Sequence, residues 1–150
     1  MDTIRVLFTK QKWNPISYLI RWALPRNRIN WSKSSHGMIV DGDYIIEASM
    51  LHGVRRVPRE VALAGKTIVA TVDYSVPDAH NGITWAWTQI GAKYDWLAAL
   101  GLGVDLNRNW RDPSKWYCYE LVAATLAEAG KDVFADTGHI TETVLLGIKP

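Results

Sequence analysis

Three side chains in this sequence could do chemistry together: Cys118, which is the only cysteine, His36 and Glu47. A thiolate is a strong nucleophile, an imidazole can take the thiol proton, and a carboxylate on the imidazole fixes its tautomer and stabilises the imidazolium. The sequence itself brings the last two together. Residues 36–40 and 43–47 are strand-like runs on either side of Asp41-Gly42, a pair favoured in two-residue hairpin turns because both turn positions need positive φ. With Asp41 and Gly42 as the loop, Val40 faces Asp43, Ile39 faces Tyr44, and His36 faces Glu47. Directly opposed residues project to one face with Cβ atoms about 4.5–5.5 Å apart. Imidazole and carboxylate then form the base-plus-orienter half of a triad. Taken alone, the pair also fits a surface contact without chemistry, and a one-residue slip would undo it.

Periodicity over residues 116–129 predicts the strongest helix in the chain. Cys118, Leu121, Val122, Thr125, Leu126 and Ala129 share one face, and Gly130 supplies the C-terminal stop. Cys118 therefore sits near the helix start and points inward. Close to a helix N-terminus and a histidine, a thiol pKa can fall from about 8.5 to roughly 3.5–7.5. Backbone N–H groups there can also polarise a carbonyl oxygen. Were Pro113 the first helical residue, that help would be small. A lone cysteine on an apolar stripe otherwise reads as a small core hydrophobe. His52, His80 and His139 are scattered without metal-ligand spacing. There is no phosphate-binding glycine loop, Gly-x-Ser-x-Gly elbow or zinc signature, so neither a metal nor an organic cofactor is expected.

The elements that must position these residues are legible in outline. Residues 4–9 form a strand, and 16–23 a helix ended by Pro25. The basic segment 21–33, with Trp22 and Trp31, reads as a helix docked on the domain or, alternatively, lying on a membrane surface. Residues 53–57 add a third strand closed by Pro58, and 59–64 make a helical turn. The β-branched run 67–72 suggests a buried strand. A helix spans 78–90, entered through Pro77 and stopped by Gly91, before an apolar stretch at 97–104 and a polar loop at 105–115. A short helix closes the chain at 140–146. The expected class is α+β, an antiparallel sheet with helices packed on it.

Composition bounds the function classes. The length of 150 residues fits one domain, and 48% apolar with 21% charged residues is the globular range. A net charge of +2 gives no electrostatic case for nucleic acid. No run approaches the roughly 18 apolar residues of a membrane span. The N-terminus soon breaks into Lys10, Gln11 and Lys12, unlike a secretory signal. One cysteine forms no internal disulfide, so a cytoplasmic setting is expected. Eight Trp and six Tyr serve either an aromatic core or an aromatic-lined groove.

Three blocks of the chain resemble a known family. Residues 35–40 (Ser-His-Gly-Met-Ile-Val) followed by Glu47-Ala48 resemble the histidine block of the circularly permuted, papain-like NlpC-type cysteine hydrolases, which include YiiX-like and lecithin retinol acyltransferase-like groups. Residues 91–96 (Gly-Ala-Lys-Tyr-Asp-Trp) are similar to the family's G-x-x-Y-D-aromatic stretch. Residues 116–122 (Trp-Tyr-Cys-Tyr-Glu-Leu-Val) resemble its nucleophile block. The order histidine, acid, cysteine is the permuted one.

The resemblance implies Cys118 as nucleophile, His36 as base, Glu47 as orienting residue, and Tyr94 as a substrate or oxyanion contact. His139, downstream of the cysteine as in unpermuted peptidases, is the rival base. Tyr119 departs from the family's serine, and a phenol there is expected to narrow the pocket or touch substrate. The implied fold packs the nucleophile helix on an antiparallel sheet. The implied activity is cleavage of an amide bond through a thioester, with cell-wall peptides as the first substrate class and delivery by phage or prophage one route to it. Lipid deacylation or acyl transfer, with peripheral membrane contact, is an alternative. A non-catalytic binding or virion-structural module is another.

Overall fold

A computed structural model of the chain describes residues 1–11, 34–98, 114–132 and 142–147. The helix expected at 16–23, the basic segment 21–33, most of 97–115 and His139 lie outside the described residues.

The sheet is antiparallel and five-stranded. Its strands are β1 (Asp2–Gln11), β2 (His36–Asp41), β3 (Tyr44–Ser49), β4 (Gly53–Pro58) and β5 (Lys66–Val76), in the order β4-β3-β2-β1-β5. Helices α1 (Arg59–Leu63), α2 (Ala79–Thr88), α3 (Cys118–Glu128) and α4 (Glu142–Gly147) are interspersed, and β6 (Lys93–Tyr94) pairs in parallel with β7 (Lys115–Trp116). The class is mixed α and β, as the patterning indicates.

Strand alternation sends apolar side chains to both faces of the sheet. On one face Ile4, Val6, Phe8, Ile39, Ile46 and Ala48 pack in one core with Leu121, Val122 and Leu126 of α3. On the other, Leu7, Met38 and Ile45 meet Ala62 of α1 in a smaller cluster. Helix α3 is buried almost all round, Tyr119, Glu120 and Ala123 included, a wider apolar surface than the single stripe read from periodicity. Its end is held by the Gly130 N–H on the Ala127 carbonyl and the Lys131 N–H on the Leu126 carbonyl, both 2.9 Å, the bond pattern of a Schellman cap. Asp78 opens α2 by accepting the Asn81 N–H at 2.9 Å.

Two expectations are corrected. The hairpin pairs Ile39 with Ile46, Val40 with Ile45 and Asp41 with Tyr44, so the turn is Gly42-Asp43 and not Asp41-Gly42. Gly42, at φ 58°, supplies the positive φ of the first turn position. Asp41 stays in the strand, its carboxylate bonded to Arg56 Nε at 2.6 Å and Trp87 Nε1 at 3.0 Å. The register is displaced by two residues, and because side chains alternate with period two, every one keeps its expected face. Strand β5, expected to be short and buried, is instead a long edge strand in which Thr67 and Ile68 are exposed and only Tyr74 and Val76 are buried. Its β-branched run reflects strand propensity rather than burial.

Candidate active site

Helix α3 begins at Cys118. Tyr117 is its extended N-cap and places no side-chain cap on it. The first bond inside the helix runs from the Leu121 N–H to the Tyr117 carbonyl at 3.1 Å. The Cys118 N–H therefore lies ahead of that bond, at the positive end of the helix dipole. Lys115–Trp116 just before it are extended, so α3 does not reach back past them.

Cys118 is 4% exposed, and its side chain acts on both the His36 ring and the Tyr94 hydroxyl. His36 is the first residue of β2, at the open end of the hairpin, where the first turn of α3 also arrives. Its Nε2 lies 2.6 Å from Glu47 Oε2. With Nε2 so engaged, Nδ1 is the nitrogen left for the thiol. The displaced register makes His36 and Glu47 diagonal neighbours across the hairpin, not an opposed pair, which is still within reach of long side chains.

Glu47 is held from several sides, and its side chain is fully buried. Arg55, directly opposed on β4, donates from Nε at 2.9 Å and Nη2 at 2.7 Å to Oε1. Lys66, at the start of β5, sits 3.4 Å from Oε2. Burial pushes the Glu47 carboxyl up, but His36, Lys66 and Arg55 together outweigh it and hold the group at about 2. Burial likewise pulls His36 down, and the hydrogen bonds and negative charge of Cys118 and Glu47 outweigh it, raising the ring to about 9. At neutral pH the pair is therefore carboxylate and imidazolium. Tyr94 is pushed well above the ordinary phenol value by burial and then by the neighbouring Cys118 charge. It keeps its proton and can donate it in a hydrogen bond.

Local pairing delivers Tyr94 to this place. Tyr94 pairs with Trp116 across β6 and β7, and the Asp95 N–H reaches the Trp116 carbonyl at 3.0 Å. The preceding turn is stitched to β4 by Val54 N–H to Ala92 O at 2.8 Å and Gly91 N–H to Val54 O at 2.9 Å. Gly53 permits this approach. It sits at φ 69°, and a Cβ there would lie 2.2 Å from the Ala92 carbonyl oxygen. Gly53→Ala is expected to destabilise the fold by about 2–3 kcal/mol, read by urea unfolding. A loss below about 0.5 kcal/mol, the scale of a neutral surface change, would show that the segment is not pinned at Gly53.

Tyr119 is placed differently from expectation. Its hydroxyl lies 3.0 Å from Ser34 Oγ and its ring stacks on Phe8 with centroids 6.4 Å apart. A Cβ at Gly37 would come within 3.1 Å of that ring, so the absent side chain of Gly37 makes room for it. Tyr119 packs helix α3 against the sheet and, among the described residues, does not line the cleft.

That cleft, about 250 Å³, opens on the α1 side of the sheet and is walled by Thr9, His36, Glu47, Arg55, Lys66 and Tyr94 among others. Thus His36, Glu47, Tyr94 and Cys118 come together. Arg55 and Lys66 are the residues sequence reasoning missed. Arg55 could have been found by continuing the hairpin logic into the third strand, where it falls opposite Glu47. No group of His, Cys, Asp or Glu among the described residues could hold a metal ion, and no helix there is long and apolar enough to cross a membrane. Compared with family models, curated proteins and solved structures, the chain matches none.

Proposed function

We propose that this chain is a single-domain cysteine hydrolase with the circularly permuted, papain-like NlpC-type fold, acting through Cys118, His36 and Glu47. The observation that carries this reading is one arrangement: a thiol at the first position of α3 acts on an imidazole whose Nε2 lies 2.6 Å from a buried carboxylate. The permuted order of the three residues and the packing of the nucleophile helix on an antiparallel sheet support the family reading.

The chemistry follows from the geometry. His36 holds the thiol proton, and the Cys118 sulfur attacks a carbonyl carbon. The Cys118 N–H and the Tyr94 hydroxyl stabilise the oxyanion that develops. The imidazolium returns its proton to the leaving amine, the C–N bond breaks, and a thioester remains on Cys118. His36 then deprotonates a water that attacks the thioester, releasing the acid and restoring the thiol.

The first substrate class is an amide in cell-wall peptides. A second reading, cleavage or transfer of a lipid acyl group, is favoured by one observation. Leu51, Trp96 and Leu97 are exposed around a second cleft that shares Tyr94 with the first. Peptidoglycan fragments and acyl lipids assayed side by side, with Cys118→Ala as the blank, separate the two. New amine termini appear under the first reading and free fatty acid under the second. Product from neither, at wild-type levels above the blank, contradicts hydrolysis and leaves a binding module. On whichever substrate is cleaved, Tyr94→Phe is expected to lower kcat by about tenfold with KM little changed, at the low end of the effect of removing one oxyanion donor. An unchanged kcat would remove Tyr94 from the mechanism.

A further inference from the structure

We propose that the cleft takes an acyl substrate carrying a carboxylate beside the scissile carbonyl, gripped by Lys66 and the outer edge of Arg55. This rests on Cys118 being the nucleophile.

Two permanent cations stand on the cleft wall, Arg55 and Lys66, and Glu47 is the one carboxylate among the described residues that line it. Arg55 and Lys66 outnumber that carboxylate, so the wall carries positive charge in excess. Both cations are accessible, with side chains 27% and 18% exposed. Neither spends its full donor capacity on Glu47. Arg55 uses Nε and Nη2 on a single oxygen, and Lys66 makes one long contact at 3.4 Å. A guanidinium carries five N–H donors and an ammonium three. The Thr9 hydroxyl, on the same wall, is buried without a hydrogen-bond partner, and a buried polar group left unsatisfied is costly unless a ligand completes it. These donors line the same cleft as His36, so an anion they hold shares that cleft with the proposed base. The excess positive charge suits an anion, and the planar guanidinium fork suits a carboxylate.

Alkylation of Cys118 by iodoacetate and by iodoacetamide at pH 7 and low salt tests this. In Lys66→Met the ratio of the iodoacetate to the iodoacetamide rate is expected to fall by about threefold, the scale of one partly screened charge pair. An unchanged ratio, or an equal slowing of both reagents, overturns the proposal. In the wild type, N-acetylglycine is expected to protect Cys118 from iodoacetamide and N-acetylglycinamide is not. Equal protection by the two, or stronger protection by dimethyl phosphate, overturns the carboxylate assignment. A Cys118 no faster than a free thiol with either reagent would instead sink the nucleophile itself, an outcome separate from any change in the ratio.

Discussion

Replacing His36 by Ala is expected to slow alkylation of Cys118 by iodoacetamide at pH 6 by about 10- to 100-fold. An ordinary cysteine thiol, with a pKa of about 8.5, is only about 0.3% ionised at pH 6. In the wild type the imidazolium, held protonated up to about pH 9 by Cys118 and Glu47, places a positive charge beside the attacking sulfur that the alanine variant lacks. Part of the gain is returned, because a thiolate paired with a cation is a weaker nucleophile than a free one. The two proteins should therefore differ most at acidic pH and converge above about pH 9. Peptide mass spectrometry of the Cys118 adduct reads the rates. Equal rates at pH 6 would mean that His36 does not govern the thiol.

Glu47→Ala is expected to lower the unfolding free energy by about 3–5 kcal/mol, the cost of removing one member from a buried charge network. Arg55, Lys66 and His36 would be left around a site built for their counter-charge. The same network sets a pH profile. The Glu47 carboxyl titrates at about 2 in the fold against 4.5 without it. Its contribution is therefore present above pH 4.5 and lost as pH falls toward 2. His36 titrates at about 9 against 6.5. Its contribution is complete below pH 6.5 and lost as pH rises through 9. Each flank amounts to about 3 kcal/mol, and the two together to less than their sum, because both count the His36–Glu47 contact. Urea unfolding from pH 3 to 10 should show greatest stability between about pH 4.5 and 6.5. Glu47→Gln should flatten the acid flank and His36→Ala the alkaline one. An acid flank that survives in Glu47→Gln would place the titrating group elsewhere.

The hairpin shows how sequence logic can reach a contact by an inexact route. Asp41-Gly42 marks the turn, but the pairing of Asp41 with Tyr44 and its bonds to Arg56 and Trp87 move the loop one residue along. Those partners lie on β4 and α2, distant in sequence, so no local turn rule could see them. The His36–Glu47 contact survives because the displacement is an even number of residues. The inward face of Cys118 follows from helical periodicity alone. Its position at the first helical residue does not, because Pro113, Tyr117 and Trp116 are all acceptable helix starts by local criteria. The β6–β7 pairing decides it by holding residues 115–116 extended. Tyr119 sits away from its expected place in the pocket for a related reason. Adjacency to the nucleophile suggests a pocket residue, but the next position on a helix turns by about 100°, and here that turn carries the phenol onto Phe8 and the open space at Gly37. Strand β5 was legible as a strand and not as an edge, since edge position depends on what pairs beyond it and not on its own residues.

The central claim is that Cys118 is a nucleophile driven by His36, and acyl transfer to the thiol tests it most directly. Wild type, Cys118→Ala and His36→Ala are mixed with p-nitrophenyl acetate at pH 6.5, quenched in acid, and weighed intact. The account predicts one acetyl group per wild-type chain, mapped to Cys118, formed in a burst ahead of steady turnover, absent from Cys118→Ala and strongly slowed in His36→Ala. Acetylation of Cys118 at the same rate in wild type and His36→Ala, or a wild-type chain that gains no acetyl group there, would contradict it.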